Sequence, residues 1–101
     1  MKRLRRKPRE MMILTFGVDF LQWLVVDDHH LEKIFDFDDF ATALEFVNIV
    51  GEICEKQDHH AEITLSWGRV VIKTWSHDVQ SITKRDYDLA EAIDEATKNG
   101  P

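Results

Sequence analysis

The stretch ITLSWGRVVIKTW, residues 63–75, decides the fold, because it predicts a β-hairpin in the second half of the chain. Apolar residues alternate with hydroxyl residues before the glycine, and β-branched residues dominate after it. This is the pattern of two strands that each bury one face. The dipeptide Gly68-Arg69 is the predicted turn between them.

Two amphipathic helices flank this hairpin in the sequence. Asp38 is predicted to cap the first helix, which ends near Lys56. Its apolar positions recur at helical spacing and are Phe40, Ala43, Leu44, Val47, Val50 and Cys54. Thr83, three residues before Asp86, predicts a capping box at the start of the second helix, which Asn99-Gly100-Pro101 ends. The apolar stripe of that helix is Leu89, Ala90, Ile93 and Ala96.

An earlier hairpin completes the pattern. Residues 20–26 and 31–37 read as strands around the turn Asp27-Asp28-His29-His30. The order strand, strand, helix, strand, strand, helix predicts an α+β fold, a four-stranded antiparallel sheet with both helices packed on one face. A chain of 101 residues fits one domain, which we predict to span residues 20–98 after a basic segment over residues 1–19.

Charge is unevenly distributed along the chain. The first ten residues hold six of the 13 basic side chains and one of the 19 acids, which leaves seven bases and 18 acids, a net of −11, on the rest. We expect so acidic a body to repel nucleic acid, and we interpret the basic head as a solvated tail rather than a contact for RNA, DNA or an anionic membrane. Asp19 interrupts the apolar run 11–18 before it reaches membrane length, so no membrane contact is predicted. Cys54 is the only cysteine, which suits a cytoplasmic protein.

Groups suited to proton transfer lie between the first helix and the second hairpin, namely Glu55, Asp58, His59 and His60. His77 follows the last strand. With Gly68-Arg69 as the turn, the ladder places His60 opposite His77, where paired Cβ atoms lie roughly 4.5–5.5 Å apart. Histidine moves protons near neutral pH because its ordinary pKa is about 6.5. The pattern therefore favours an acid–base site.

Two other interpretations of the histidines stand beside this one. A pair of adjacent histidines is usually solvated or helix-capping, and we interpret His29-His30 in that way. A zinc site would need His59, His60 and His77 with a carboxylate, but the standard ligand spacing is absent. Adjacent side chains in an extended segment also point to opposite faces, so we predict no metal.

The segment Glu55-Lys56-Gln57-Asp58-His59-His60 resembles the signature of the pterin-4a-carbinolamine dehydratases. In that family an acidic residue lies four positions before a His-His pair. An aromatic residue, a histidine and an aspartate follow at fixed spacings, which Trp67, His77 and Asp86 match.

The resemblance extends over about residues 20–97 and includes the segments 35–40 and 81–94. Ala61 stands where the family usually has proline, and residues 1–18 depart from the helix with which the family opens. The change to Ala61 loosens the turn locally but removes no proton-transfer group.

The resemblance implies that the chain dehydrates 4a-hydroxytetrahydropterin to quinonoid dihydropterin, which recycles the cofactor of aromatic amino acid hydroxylases. One group must protonate the departing hydroxyl, and another must take a proton from a ring nitrogen. The implied catalytic residues are His59 and His77 as proton-transfer groups and His60 as a pterin contact. The implied substrate-binding or orienting residues are Glu55, Asp58, Trp23 and Asp86. Helix capping is the alternative explanation for Asp86.

The resemblance also implies partners. It predicts a homodimer or homotetramer that needs no metal or organic cofactor, with the pterin as substrate. The alternative is a non-catalytic binding module of the same fold, a dimerisation cofactor for a transcription factor or an assembly factor for a carbon-fixing enzyme. The assembly-factor branch lacks the catalytic histidines, whereas this chain has all three, which favours the enzyme. A metal-binding protein is the second alternative.

Overall fold

The computed structural model describes residues 23–98, and our predictions for residues 1–19, 20–22 and 99–101 lie outside this range. The elements are β1 (Leu24–Val26), β2 (His30–Asp36), α1 (Phe40–Gln57), β3 (Glu62–Ser66), β4 (Arg69–Thr74) and α2 (Lys84–Lys98). All strands are antiparallel, in the sheet order β1-β2-β4-β3. The predicted α+β fold is confirmed. Neither of the helices that this range contains is long and apolar enough to cross a membrane.

The core lies between the sheet and the two helices. Central strands β2 and β4 supply it because alternate side chains of a strand share one face. The rings of Phe35 and Phe46 pack with their centroids 4.6 Å apart, which joins β2 to α1. The other buried apolar residues are Trp23, Leu24, Leu31, Ala43, Val50, Cys54, Val70, Ile72, Leu89, Ala90 and Ile93.

The first hairpin turn is one residue shorter than predicted, because it ends at His29. Asp27 and Asp28 both have φ of 54°, in the left-handed region that aspartate tolerates better than most residues. The His29 N–H donates to the Val26 carbonyl over 2.9 Å and closes the turn. His30 consequently belongs to β2 and pairs with Val26.

The second hairpin turns at Trp67-Gly68, and not at Gly68-Arg69 as the sequence predicts. The Phe37 N–H donates to the Gly68 carbonyl over 2.8 Å. A Cβ on Gly68 would lie 3.0 Å from the Phe37 carbonyl oxygen. Glycine is therefore needed at the second turn position, where the end of β2 approaches closely.

The observed turn moves the register of the hairpin by two residues. Ser66 pairs with Arg69, and the β3–β4 ladder begins at Glu62 with Lys73. The prediction that His60 lies opposite His77 is therefore wrong. The even shift preserves which face of each strand is buried.

Helix α1 begins one residue later than predicted. Asp39, and not Asp38, is its N-cap, and the Asp39 carboxylate accepts the Thr42 N–H over 2.8 Å. This bond lowers the pKa of Asp39 below its ordinary value. The cap satisfies one of the amide groups that the first turn leaves without a partner.

The buried face of α1 differs from the predicted stripe at three positions. Phe40 and Leu44 are 43% and 41% exposed, whereas Phe46 is buried. Ala43, Phe46, Val50 and Cys54 follow each other at intervals of three or four residues and form the face towards the sheet. Phe40 and Leu44 lie beside that face, so the prediction that they belong to the core is wrong.

Candidate acid–base site

The end of α1 separates the side chains of the two adjacent histidines. Asp58 adopts a left-handed conformation, φ 53° and ψ 41°, as the C-cap of the helix. The His59 N–H then donates back to the Cys54 carbonyl over 3.1 Å. Aspartate occupies this position, where glycine is usual. The reversal of the chain turns the His59 side chain into the protein, 9% exposed, and leaves that of His60 56% exposed.

His59 is held by a carboxylate of α2. Its Nε2 lies 2.6 Å from Asp86 Oδ1, and the Asp86 side chain is fully buried. An ionised carboxylate only accepts hydrogen bonds, so Nε2 carries the hydrogen and donates it. In neutral His59 the other ring nitrogen, Nδ1, is therefore the one that can take a proton.

Three further donors converge on Asp86. Oδ1 also accepts the Thr74 hydroxyl at 2.6 Å, and Oδ2 accepts the Ser76 hydroxyl and the Thr83 N–H, each at 2.9 Å. Burial acts to raise the pKa of Asp86. The hydrogen bonds from Thr74, His59, Thr83 and Ser76 together outweigh it, so the pKa lies below its ordinary value of 3.8. The carboxylate is therefore charged at neutral pH.

The capping interpretation of Asp86 is confirmed, because its Oδ2 accepts the N–H of Thr83 just before α2 begins. The same carboxylate also holds His59, so capping and histidine binding do not exclude each other. The two contacts use different oxygens: Oδ1 accepts the His59 imidazole N–H, and Oδ2 accepts the Thr83 N–H at the start of the helix.

Sequence reasoning missed the hydroxyls of Thr74 and Ser76. Both side chains are fully buried. They continue the core-facing alternation that begins with Val70 and Ile72. A hydroxyl on a buried strand face needs a partner. Hydroxyl residues in an otherwise apolar strand face therefore indicated a buried hydrogen bond, but the sequence does not show which residue accepts it.

His59 lines a cavity of about 530 Å³ between the end of α1 and the outer face of α2. Its other lining residues are Gln57, Arg85, Asp88, Glu91, Ala92 and Glu95. A cavity of this size is within the range of small-molecule sites.

His60 faces a different region. Its Nε2 lies 2.6 Å from Glu55 Oε2, and both side chains are more than half exposed. An exposed pair of this kind contributes roughly 0–1 kcal/mol to stability. The two residues line a groove of about 1000 Å³ between α1 and β3, on which Gly51 and Ala61 also lie.

His77 is exposed in a short loop after β4. Its ring meets that of Trp75 edge to face, with centroids 4.6 Å apart. Within residues 23–98, no hydrogen bond or ring contact joins His77 to His59 or His60. The described contacts therefore bring together His59 with Asp86 and His60 with Glu55, and leave His77 apart.

Trp23 lies in the core. It is fully buried, and its indole N–H donates to both Asp94 oxygens at 3.1 Å. Lys33 Nζ also lies 2.7 Å from Asp94 Oδ1. These contacts fix Trp23 between β2 and α2, outside the set of residues that lines the His59 cavity.

The His29-His30 pair contacts the loop that carries His77. The two Nδ1 atoms lie 3.1 Å apart, and His29 Nε2 lies 3.3 Å from the Gln80 side-chain oxygen. Both histidine rings pack against Trp75. Across the described range 23–98, no group of three His, Cys, Asp or Glu side chains is arranged to hold a metal ion.

Comparison with known proteins identifies a matching family. Residues 9–96 match the family described as pterin 4 alpha carbinolamine dehydratase. A provisionally named pterin-4-alpha-carbinolamine dehydratase of Rubrobacter xylanophilus is 44% identical over 72 residues, 71% of this chain and 67% of that protein. One of the same provisional name from Alkaliphilus metalliredigens is 38% identical over 73 residues, 72% of this chain and 66% of that protein. The match thus spans about two thirds of each relative.

Two solved structures are similar. A transcriptional coactivator/pterin dehydratase from Brucella melitensis superimposes with a TM-score of 0.69 at 29% identity, over 73% of this chain and 80% of that one. A pterin dehydratase-like protein that is a RuBisCO assembly factor in the alpha-carboxysome gives a TM-score of 0.58 at 19% identity, over 71% of this chain and 82% of that one. The second likeness shows a shared fold alone.

Proposed function

The chain belongs to the pterin 4 alpha carbinolamine dehydratase family, and we propose that it catalyses the family's dehydration of 4a-hydroxytetrahydropterin to quinonoid dihydropterin. The observation that carries the proposal is the buried His59–Asp86 pair, 2.6 Å between Nε2 and Oδ1. A histidine oriented by a buried carboxylate is the usual device for moving a proton near neutral pH.

The reaction breaks the C4a–OH bond and removes a proton from the adjacent ring nitrogen. Water leaves easily only when the hydroxyl is protonated, so one group acts as acid and another as base. Asp86 stabilises the positive charge on His59 whenever Nδ1 holds a proton. In this proposal His59 exchanges one proton with the substrate through Nδ1, and His77 exchanges the other.

The remaining site residues have supporting roles in the proposal. The family resemblance supports His60 as a pterin contact, and Glu55 orients its imidazole over 2.6 Å. Because His60 lines a groove separate from the His59 cavity, a pterin that contacts both has to extend around the end of α1. Asp58, as the C-cap of α1, directs the two histidines to opposite sides. The reaction is a redox-neutral loss of water assisted by proton transfer, so the proposal includes no metal or organic cofactor, and the pterin is the substrate.

We place the reaction in the cytoplasm, where it returns the pterin to an aromatic amino acid hydroxylase. The test is the dehydration of enzymatically generated 4a-hydroxytetrahydropterin, followed by absorbance. Wild type is compared with His59→Ala and His77→Ala. A loss of about 10²-fold or more in each variant is expected for acid–base groups. Variants that are folded and as fast as wild type would contradict the assignment.

A second role is favoured by an exposed apolar patch on α1. Phe40 and Leu44 lie one turn apart and are each about two-fifths exposed, 43% and 41%. Neighbouring exposed apolar side chains mark protein contacts. We propose that this patch joins subunits in a homodimer or homotetramer, or receives a protein partner in a non-catalytic role.

Light scattering after size-exclusion chromatography tests the subunit contact. Leu44→Glu should reduce the mass of the particle, whereas the control Glu45→Gln, next to it in the sequence, should not. A monomeric wild type would contradict the homo-oligomer. The patch would then be proposed as a contact for a different protein.

A further inference from the structure

Ser76 is a fully buried residue at the point where β4 gives way to the loop that carries His77. Its hydroxyl lies 2.9 Å from Asp86 Oδ2 and 2.7 Å from Thr83 Oγ1. The carboxylate can only accept, so Ser76 donates to Asp86. A hydroxyl has one hydrogen, so Thr83 is the donor in its contact with Ser76. The donor and the acceptor of both hydrogen bonds, Thr83 to Ser76 and Ser76 to Asp86, are therefore defined.

The backbone of Ser76 also closes the loop of residues 77–80. Its N–H donates to the Ser81 carbonyl over 2.9 Å, and the Ser81 N–H donates back over 3.4 Å. The Ser76 carbonyl also accepts the Val79 N–H at 3.2 Å. His77 is the first residue of this loop, so its backbone position depends directly on where Ser76 lies.

Asp86 therefore binds the two histidine-bearing segments through different oxygens. Oδ1 accepts His59 directly, and Oδ2 accepts Ser76, the residue before His77. Because a carboxylate is rigid and planar, its two oxygens move together. A shift of Ser76 that reorients Asp86 therefore also changes the hydrogen bond of Asp86 to His59. Through these two bonds Asp86 links the His59 imidazole to the base of the His77 loop, although the two imidazoles do not touch in the described range.

We infer that Ser76 is a positioning residue that, through Asp86, holds the His77 loop and the His59 imidazole in one arrangement. The inference rests on the proposed function, because it assigns Ser76 to the same proton-transfer reaction. Ser76 itself is too deeply buried to touch the pterin.

Thr74 supplies a matched control. Its hydroxyl donates to the same carboxylate, at 2.6 Å from Oδ1, and it is equally buried. It lies within β4, opposite Leu31, and not at the base of the loop. Thr74→Val removes a hydrogen bond to Asp86 without changing the residue that closes the loop. Ser76→Ala removes a hydrogen bond to Asp86 at the residue that closes the loop.

The experiment measures dehydration kinetics of both variants with and without His77→Ala. Ser76→Ala should lower kcat by about 10- to 100-fold, the scale of a misplaced catalytic group. In the His77→Ala background the loss should shrink to the part that acts through His59, because residues that act together are not additive. Thr74→Val should have the same effect in both backgrounds. Equal losses from Ser76→Ala in both backgrounds would overturn the inference.

A second measurement does not depend on turnover. Nitrogen-15 NMR of the histidine rings should show that Ser76→Ala moves the resonances of both His59 and His77, whereas Thr74→Val moves those of His59 alone. If wild type fails to dehydrate the pterin, the proposed function is wrong, but the NMR shifts still test whether Ser76 couples His59 to His77. Unchanged His77 resonances in folded Ser76→Ala would overturn it.

Discussion

Asp86→Asn is the substitution that tests the site most severely, because it keeps the shape of the side chain and removes its charge. Four donors point at the carboxylate, two at each oxygen. An asparagine must present its NH₂ group to one of these pairs. On the Oδ2 side it faces the fixed Thr83 N–H. On the Oδ1 side it forces His59 into the opposite tautomer.

The magnitude follows from these contacts. A hydrogen bond to a charged group contributes roughly 1.5–3 kcal/mol, and an orphaned buried donor costs about 1–3 kcal/mol. Because hydroxyls such as that of Ser76 can rotate and recover part of the loss, we expect the free energy of unfolding to fall by about 2–4 kcal/mol. An imidazole in the wrong tautomer lowers turnover by about 10³- to 10⁴-fold.

Urea denaturation followed by circular dichroism gives the first quantity, and the dehydration assay gives the second at a temperature where the variant stays folded. Asp94→Asn is the control, since this carboxylate of α2 holds Trp23 and Lys33 instead of a histidine. It should lose stability and keep the wild-type rate. Folded Asp86→Asn that dehydrates the pterin as fast as wild type would refute the role of the pair.

Three further predictions follow from the same contacts. Asp58→Gly should raise the free energy of unfolding by about 0.5–1 kcal/mol in urea, because glycine adopts the left-handed C-cap without strain; a slower dehydration rate would instead make Asp58 a substrate contact. The pKa of Asp86 is lower in the folded protein than its ordinary value of 3.8, so the unfolded chain takes up the proton first and stability should fall as pH drops below about 5. Urea titrations from pH 5 to 3 should show a weaker dependence in Asp86→Asn, and equal slopes would contradict the assignment. Trp23→Phe should cost about 1–2 kcal/mol of stability through the lost bond to Asp94 and leave KM unchanged; an increased KM would put Trp23 in the pocket.

Most of the fold was predictable because its causes are local. Alternation identified both hairpins, and helical spacing identified both helices. The second turn was misplaced because its position depends on Phe37, whose backbone approaches Gly68 from another part of the chain. The buried stripe of α1 was misassigned for a similar reason. Phe40 and Leu44 have the right spacing, but the sheet beneath the helix decides which apolar residues it covers.

The sequence was enough to select candidate residues of the site, but it did not predict which of them contact each other. Spacing selected His59 and Asp86 separately, and Asp86 also had a sufficient local explanation as a helix cap. Nothing in the sequence joins the end of α1 to the start of α2, because that contact is made only when both helices pack on the sheet. The supporting hydroxyls of Thr74 and Ser76 depend on the same packing.

In the proposed reaction His59, held by Asp86, transfers a proton in the dehydration of a pterin carbinolamine. The most direct measurement is the dehydration rate of 4a-hydroxytetrahydropterin with wild type and with His59→Gln, beside the uncatalysed rate. We expect clear acceleration by wild type and a loss of about 10²-fold or more in the folded variant. A folded wild type that leaves the uncatalysed rate unchanged would show that the protein is not this dehydratase and would favour the role in protein binding.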